Sequence, residues 1–281
     1  MTARALPAFG LLAALALAPL PAASDTTTLT AAGSTALLPL LMASAEVYSA
    51  RHPQTLITVT GGGSRAGLAA VAAGTVDLGM SDTPATGYPN LVDHHVCVVG
   101  YVVLANPGVG VAGVTKQQLR DIFAGKLTNW KQLGGADVRI VPIERPPGSG
   151  TRLVFDRNIM GPVPEVDSGA MEDVTGTLLG DVRTTPGAIS YAAFVGIKSY
   201  GDAGFAAVDG VTELAIDGAK PTEEEIGAGT YPLWSFEHVY TNGPPGRDAS
   251  RFLALVESNV ETVHALGFIP MRVMSVDPGN R

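Results

Sequence analysis

The chain has a single cysteine, Cys97, so it cannot close a disulfide within itself. Its stability must come from a packed core, and 46% hydrophobic residues are enough to build one. Cys97 falls in the apolar run 95–104 and reads as a small buried apolar residue. Basic charge is also scarce, with 18 Lys+Arg against 26 Asp+Glu and a net charge of -8. That balance excludes nucleic acid and acidic membrane surfaces as partners. The five histidines, His52, His94, His95, His238 and His264, stand in no metal-ligand spacing such as H-E-x-x-H, so no metal is expected. No run after residue 24 is apolar enough to cross a bilayer.

What is present begins with a leader. Residues 1–24 hold one basic residue, Arg4, then an apolar run over 11–20, then Ala22-Ala23-Ser24 before Asp25. This is the pattern of a secretory signal peptide cleaved near Ser24, and the run is too short for the roughly 20 apolar residues of a span. The expected mature chain has about 257 residues and a net charge of -9. It would be periplasmic or secreted, with no stable membrane insertion.

Short Gly/Pro clusters punctuate apolar segments along the rest of the chain. Residues 28–32, 55–60 and 76–80 read as strands, with helices over 36–50 and 65–73. This is the β-turn-α-β unit of an open α/β sheet. Residues 96–105 form a long unbroken apolar strand, able to run from one lobe into another. Strands are further expected at 138–143, 188–195, 214–216 and 235–240, with helices at 115–123, from 152, at 248–258 and at 260–266. Residues 273–281 read as a polar tail that frays.

Three times a strand ends in a Gly/Ser/Thr turn that opens a helix: Gly33-Ser34-Thr35, Gly61-Gly62-Gly63-Ser64 and Gly148-Ser149-Gly150-Thr151. The first N–H groups of a helix lack internal partners and carry partial positive charge. Glycine admits a ligand close to the backbone, and Ser and Thr add hydroxyl donors. Each turn is a ready-made anion site, although any one of them alone is more often a plain N-cap. Arg145 and Asp82 stand at neighbouring turns. Taken alone, Arg145 also reads as a surface residue before a turn and Asp82 as an N-cap.

Five segments in order resemble the periplasmic phosphate-binding proteins of ABC transporters: AGSTALLPL (32–40), GGGSRAGLAAVAAGTVDLGMSD (61–82), ERPPGSGTR (144–152), TPGAISY (185–191) and IDGAKPTEEEIGAGTYPL (216–233). The resemblance implies an α/β, two-lobed type II periplasmic-binding-protein fold, each lobe an open, mostly parallel sheet flanked by helices. Residues 25–96 and 198–281 would form the first lobe and 97–197 the second, with a ligand cleft between them. It implies capture of inorganic phosphate for an ABC transporter permease, by a monomer with no cofactor and no catalytic residue.

Residue by residue, the resemblance implies ligand donors from Thr35, Ala36 and Ser64 in one lobe and from Ser149, Gly150 and Thr151 in the other, with Ser34 beside them. Arg145 matches the ligand-binding arginine and Asp82 the ligand-binding aspartate. Phosphate near neutral pH still carries protons and sulfate carries none, so a buried carboxylate accepts from the first and repels the second. One family branch supports its arginine with an acidic residue two positions on; here that position is Pro147, and Glu144 is the nearest acid.

Three rival readings remain open at this level. Gly61-x-Gly63-x-x-Ala66, with Asp82 19 residues after Gly63, satisfies a dinucleotide-binding fingerprint on paper. Ser149 suggests a secreted hydrolase or phosphatase, although Pro147 breaks the G-x-S-x-G pattern. The same fold also serves other oxyanions or a sensor.

Overall fold

Two β-α steps open the fold. β1 (Thr27–Gly33) leads into α1 (Leu38–Arg51), and β2 (Thr55–Thr60) into α2 (Ser64–Ala72). The computed structural model describes residues 26–195 and 210–276, so the leader at 1–24 lies outside the described residues. β2 alternates buried or half-buried with exposed residues and sits at the edge of the sheet, as its TLITVT sequence predicts. α1 begins two residues later than its apolar spacing suggests. Pro39 occupies its first turn, where a missing N–H costs no helix hydrogen bond.

β3 (Leu78–Ser81) is buried along its whole length. β4 (Leu91–Ala105) is five residues longer than its apolar run. Its first five residues are partly exposed, and the polar Asp93, His94 and His95 among them interrupt the hydrophobic pattern. Then come β5 (Gly113–Val114) and α3 (Lys116–Phe123), which is capped by Thr115 in a capping box with Gln118. Only Val141–Pro142 of the strand expected over 138–143 forms, as β6. Pro142 has no N–H to give to a ladder. α4 (Gly150–Phe155) runs on into a π turn over Asp156–Met160.

The remaining elements are α5 (Thr175–Thr184), β7 (Ala188–Ala193), β8 (Thr212–Ile216), α6 (Glu223–Gly227), β9 (Trp234–Asn242), α7 (Arg247–Ser258) and α8 (Val260–Ala265).

The strands lie in the order β2-β1-β3-β9-β4-β7-β6, with β8 also on β4 and β5 on β8. β1–β2, β1–β3, β6–β7 and β5–β8 are parallel. Among the described residues, every antiparallel pair of these strands contains β4 or β9. β4 pairs with β9 through Leu91–Gly100 and with β7 through Tyr101–Ala105, with a bulge between His95 and Cys97. One strand thus joins a β2-β1-β3 group to a β5–β8 group. Dividing the chain at residue 198 would put β8 with β1–β3. In the sheet, Thr212–Leu214 of β8 pair with Val103–Ala105 of β4. The return crossing that this division implies just after residue 197 lies outside the described residues.

The core follows β4. Cys97, Val98, Val99, Tyr101 and Val103 are fully buried, as expected for Cys97. The end of the chain departs from a fraying tail up to residue 276: Ser275 N–H donates to the Gly227 carbonyl at 2.9 Å, and Val273 and Val276 pack on the core.

Candidate anion-binding site

β1 and β3 run parallel and stop side by side, with Gly33 level with Met80. The loops that follow them therefore meet. Gly33 has φ 137°, a conformation that suits glycine, and any Cβ there would run into the Met80 carbonyl. Ser34 N–H donates to the Met80 carbonyl at 3.0 Å, and Gly63 N–H donates to the Gly33 carbonyl at 2.9 Å. These bonds tie the first two Gly/Ser turns and the end of β3 into one unit.

Asp82 sits at the centre of that unit and is 2% exposed. Its N–H donates to Ser64 Oγ at 3.0 Å. Burial pushes its carboxyl pKa up, and hydrogen bonding from Ser34, Glu237 and Ser64 opposes this. Ser34 is fully buried, and its Oγ accepts from Leu37 N–H at 3.1 Å. Ser34 therefore caps the turn into α1 and braces Asp82. Thr35 is exposed and Ala36 half-buried at the same helix start. Ser64 is the first residue of α2, after Gly63 at φ 86°.

The third turn arrives from the other strand group. Ser149 is the N-cap residue of α4, and its side chain does not bond the helix N–H groups, which leaves the hydroxyl available. Ser149 and Thr151 are both buried. Gly150 lies directly against Asp82 and Ser64: a Cβ there would strike Asp82 Oδ2 and Ser64 Oγ. The Gly148 carbonyl likewise stands 2.9 Å from where a Gly63 Cβ would be. The first turn of α4 is thus seated on the aspartate. Aromatic packing holds α4 there, with Phe155 stacked on Tyr191 at 3.8 Å and edge-on to Phe123 at 4.8 Å.

Arg145 is 3% exposed. Its Nη2 donates to the Asp173 carbonyl at 2.6 Å and lies 3.7 Å from the Asp173 carboxylate. Its Nε and Nη1 are buried with no partner among the described residues. Unsatisfied guanidinium donors at a buried site are costly, and an oxyanion is their natural complement. Asp173 therefore supports Arg145, chiefly through its backbone carbonyl, and Glu144 has another task. Glu144 Oε2 pairs with Arg152 at 3.3 Å and its Oε1 accepts from Ser168 N–H at 2.8 Å. Arg152 in turn donates to the Arg145 carbonyl at 2.8 Å and so fixes the loop that carries Arg145.

The structure thus brings Ser34, Ser64, Asp82, Ser149, Gly150 and Thr151 to one place. Arg145 carries open donors in the loop before α4, and Thr35 and Ala36 stand at the α1 start. Sequence reasoning missed Asp173, Arg152 and Glu237. Asp173 and Glu237 lie 28 and 155 residues from the side chains they serve, Arg145 and Asp82, and no local motif marks them. Arg152 stood inside the GSGT segment but carried no sign of its carbonyl partner.

The rival chemistries find less support. The Asp82 carboxylate, which a dinucleotide site would turn to a ribose, is buried among Ser34, Ser64 and Glu237. No histidine hydrogen-bonds Ser149 among the described residues. Asp93, His95 and His238 do come within 4.8 Å of one another. There Asp93 is already engaged, by His238 Nδ1 at 3.0 Å and by Tyr240 Oη at 2.9 Å.

The PBP superfamily domain matches residues 20–260 of the chain. The phosphate-binding protein PstS of Bacillus subtilis (strain 168) is 38% identical over 256 residues, which span 88% of this chain and 82% of that protein. A phosphate ABC transporter substrate-binding protein of Clostridium perfringens, solved with bound phosphate, superposes with a TM-score of 0.77 at 25% identity and covers 87% of this chain and 100% of its own. An ABC-type phosphate transport receptor from Vibrio cholerae shares the fold, with a TM-score of 0.73 at 24% identity, 86% coverage of this chain and 99% of its own.

Proposed function

The chain belongs to the phosphate-binding protein family of the PBP superfamily, and on that premise we propose that it captures inorganic phosphate outside the cytoplasm and delivers it to an ABC-type importer. It is a binding protein, as its relatives are, and not an enzyme. Ser64, Thr35 and Ala36 donate from the first lobe, and Ser149, Gly150, Thr151 and Arg145 from the second. Ser34 orders the site through Asp82. β1, β2 and β3 belong to the first lobe, and β5, β6, β7 and β8 to the second, with β4 and β9 as the strands that flex between them. A leader ending near Ser24 sends the chain out of the cytoplasm, and it works as a monomer.

One observation carries this reading: a buried carboxylate, Asp82, faces the first turn of α4, where bare anions would be expected to be welcome. Helix N–H groups and a guanidinium favour any oxyanion equally. A carboxylate among them favours an oxyanion that brings its own proton. With a net charge of -8, long-range attraction does not draw the ligand in, and short aimed hydrogen bonds must supply the affinity. Titration calorimetry with phosphate on the purified chain tests it. One saturable site, lost in Arg145→Ala, is expected; absence of binding at millimolar phosphate contradicts the proposal.

A further inference from the structure

We propose that Glu237 is the proton partner of Asp82: a buried Glu237–Asp82 carboxyl pair shares one proton, which Glu237 holds, and this keeps Asp82 an acceptor and makes the site selective for protonated oxyanions. This rests on the phosphate reading above and adds a specificity-determining positioning residue to it.

The geometry is that of a cross-strand pair. β3 and β9 are antiparallel, with Gly79 opposite Tyr240, Met80 opposite Val239 and Ser81 opposite His238. One step further along the register, Asp82 falls opposite Glu237, where paired Cβ atoms are about 5 Å apart. Glu237 is fully buried within β9. Asp82 Oδ1 and Glu237 Oε2 are both sealed from solvent and both lack a conventional donor. A single proton between the two carboxyls satisfies both atoms at once. Two adjacent buried carboxylates cannot both ionise.

The surroundings decide which carboxyl keeps the proton. Asp82 has hydroxyl donors in Ser34 and Ser64, the positive charge of Arg145 across the cleft, and His238 nearby. Glu237 has Ser235, whose Oγ lies 3.3 Å from Oε1 and 2.8 Å from Tyr101 Oη. Tyr101 also hydrogen-bonds Glu237, and the neutral thiol of Cys97 lies directly opposite on β4, so that these neighbours are all uncharged. Arg157 acts on Tyr101 and not on the pair itself. Burial, then the charge of Asp82, push the Glu237 carboxyl well above the usual range. The proton therefore sits on Glu237 and points at Asp82. The pair carries one negative charge instead of two, and Asp82 still presents Oδ2 toward Gly150 and Ser64.

Two consequences follow for the ligand. As pH rises far enough to ionise Glu237, the second charge repels the bound anion. As pH falls far enough to protonate Asp82, its carboxyl becomes a donor and sulfate is no longer rejected. Glu237→Gln keeps a donor at the same place that cannot ionise; Glu237→Leu removes it at similar volume.

The test combines infrared spectroscopy with calorimetry on the full chain. Without ligand at pH 7, the difference spectrum of parent minus Glu237→Gln should show a protonated-carboxyl stretch; the contribution of Glu165 cancels. No such band overturns the proposal whether or not phosphate binds, so its failure is distinct from failure of the phosphate reading. Phosphate and sulfate titrations from pH 5 to 9 read the consequence, with the ligand's own titration common to all variants. Glu237→Gln should bind phosphate within about threefold of the parent at pH 7 and hold its affinity to higher pH. Glu237→Leu should lose about tenfold or more of the phosphate-over-sulfate preference at pH 6. Equal preference in Glu237→Leu and the parent, or equal losses in Glu237→Gln and Glu237→Leu, would overturn the proposal. If Glu237→Leu does not fold, Glu237→Gln and its infrared difference decide.

Discussion

The close seating of α4 on Asp82 makes Gly150→Ala a sharp perturbation. Gly150 does not have a positive φ, so alanine fits its backbone and only crowding is tested. The new methyl would overlap Asp82 Oδ2 and Ser64 Oγ. A carbon and an oxygen settle near 3.5 Å, so α4 must withdraw by roughly 1 Å. Hydrogen bonds of about 2.9 Å to a ligand held between the two strand groups then lengthen beyond useful range. Two such bonds to a charged ligand, at about 1.5–3 kcal/mol each, amount to about 3–6 kcal/mol, or about 10²–10⁴-fold in Kd. Gly148→Ala is the control in the same turn, because a Cβ there meets nothing within 4 Å. Calorimetric Kd for phosphate and the melting temperature without ligand should be measured for both. Gly150→Ala should lose affinity with little change in unliganded stability, and Gly148→Ala should match the parent. Parental affinity in Gly150→Ala would refute the claim that the ligand is held by approach of α4 to Asp82.

Further outcomes follow from the same geometry. Asp82→Asn should lower the phosphate-over-sulfate preference by about a hundredfold, since an amide can donate to sulfate where a carboxylate repels it; competition titrations check this. Asp173→Ala should weaken phosphate binding by less than about fivefold, because the bond from Arg145 goes to the Asp173 carbonyl at 2.6 Å while the carboxylate is 57% exposed; a loss beyond fiftyfold would make the carboxylate the true anchor. Glu165, buried against Tyr191 Oη at 2.7 Å, is pushed up to about 8, chiefly by desolvation. The native state therefore binds more protons than the unfolded state, so this contribution is full below the ordinary glutamate range and is lost as pH rises through about 8. Melting temperature should fall between pH 5 and 9, and the fall should be smaller in Glu165→Gln; parallel curves would contradict it.

Much of the site was legible because it is built from local signals. β2 matches its TLITVT run residue for residue, and α2 starts one residue before its expected place. Ser64 and Gly150 declare themselves through strand-turn-helix transitions, where glycine and hydroxyl residues have a shared physical reason to cluster. What the sequence did not disclose depends on pairing. Arg145 seemed unsupported with Pro147 in place of an acid, yet Asp173 reaches it once the chain returns alongside residue 144. Glu237 looks like one polar residue in a buried strand until the β3–β9 register sets it across from Asp82. α5 was missed because Thr175, Gly176, Thr177 and Gly180 are poor helix formers, and burial of Leu178 and Val182 overrides them. β8 took its place beside β4 through long-range bonding that no spacing encodes.

The central claim is that this cleft takes an oxyanion that carries a proton. Calorimetric titration of the parent with phosphate and with sulfate at pH 8 tests it most directly. Phosphate should bind about a hundredfold or more tightly than sulfate; sulfate binding as tight as phosphate would contradict the account.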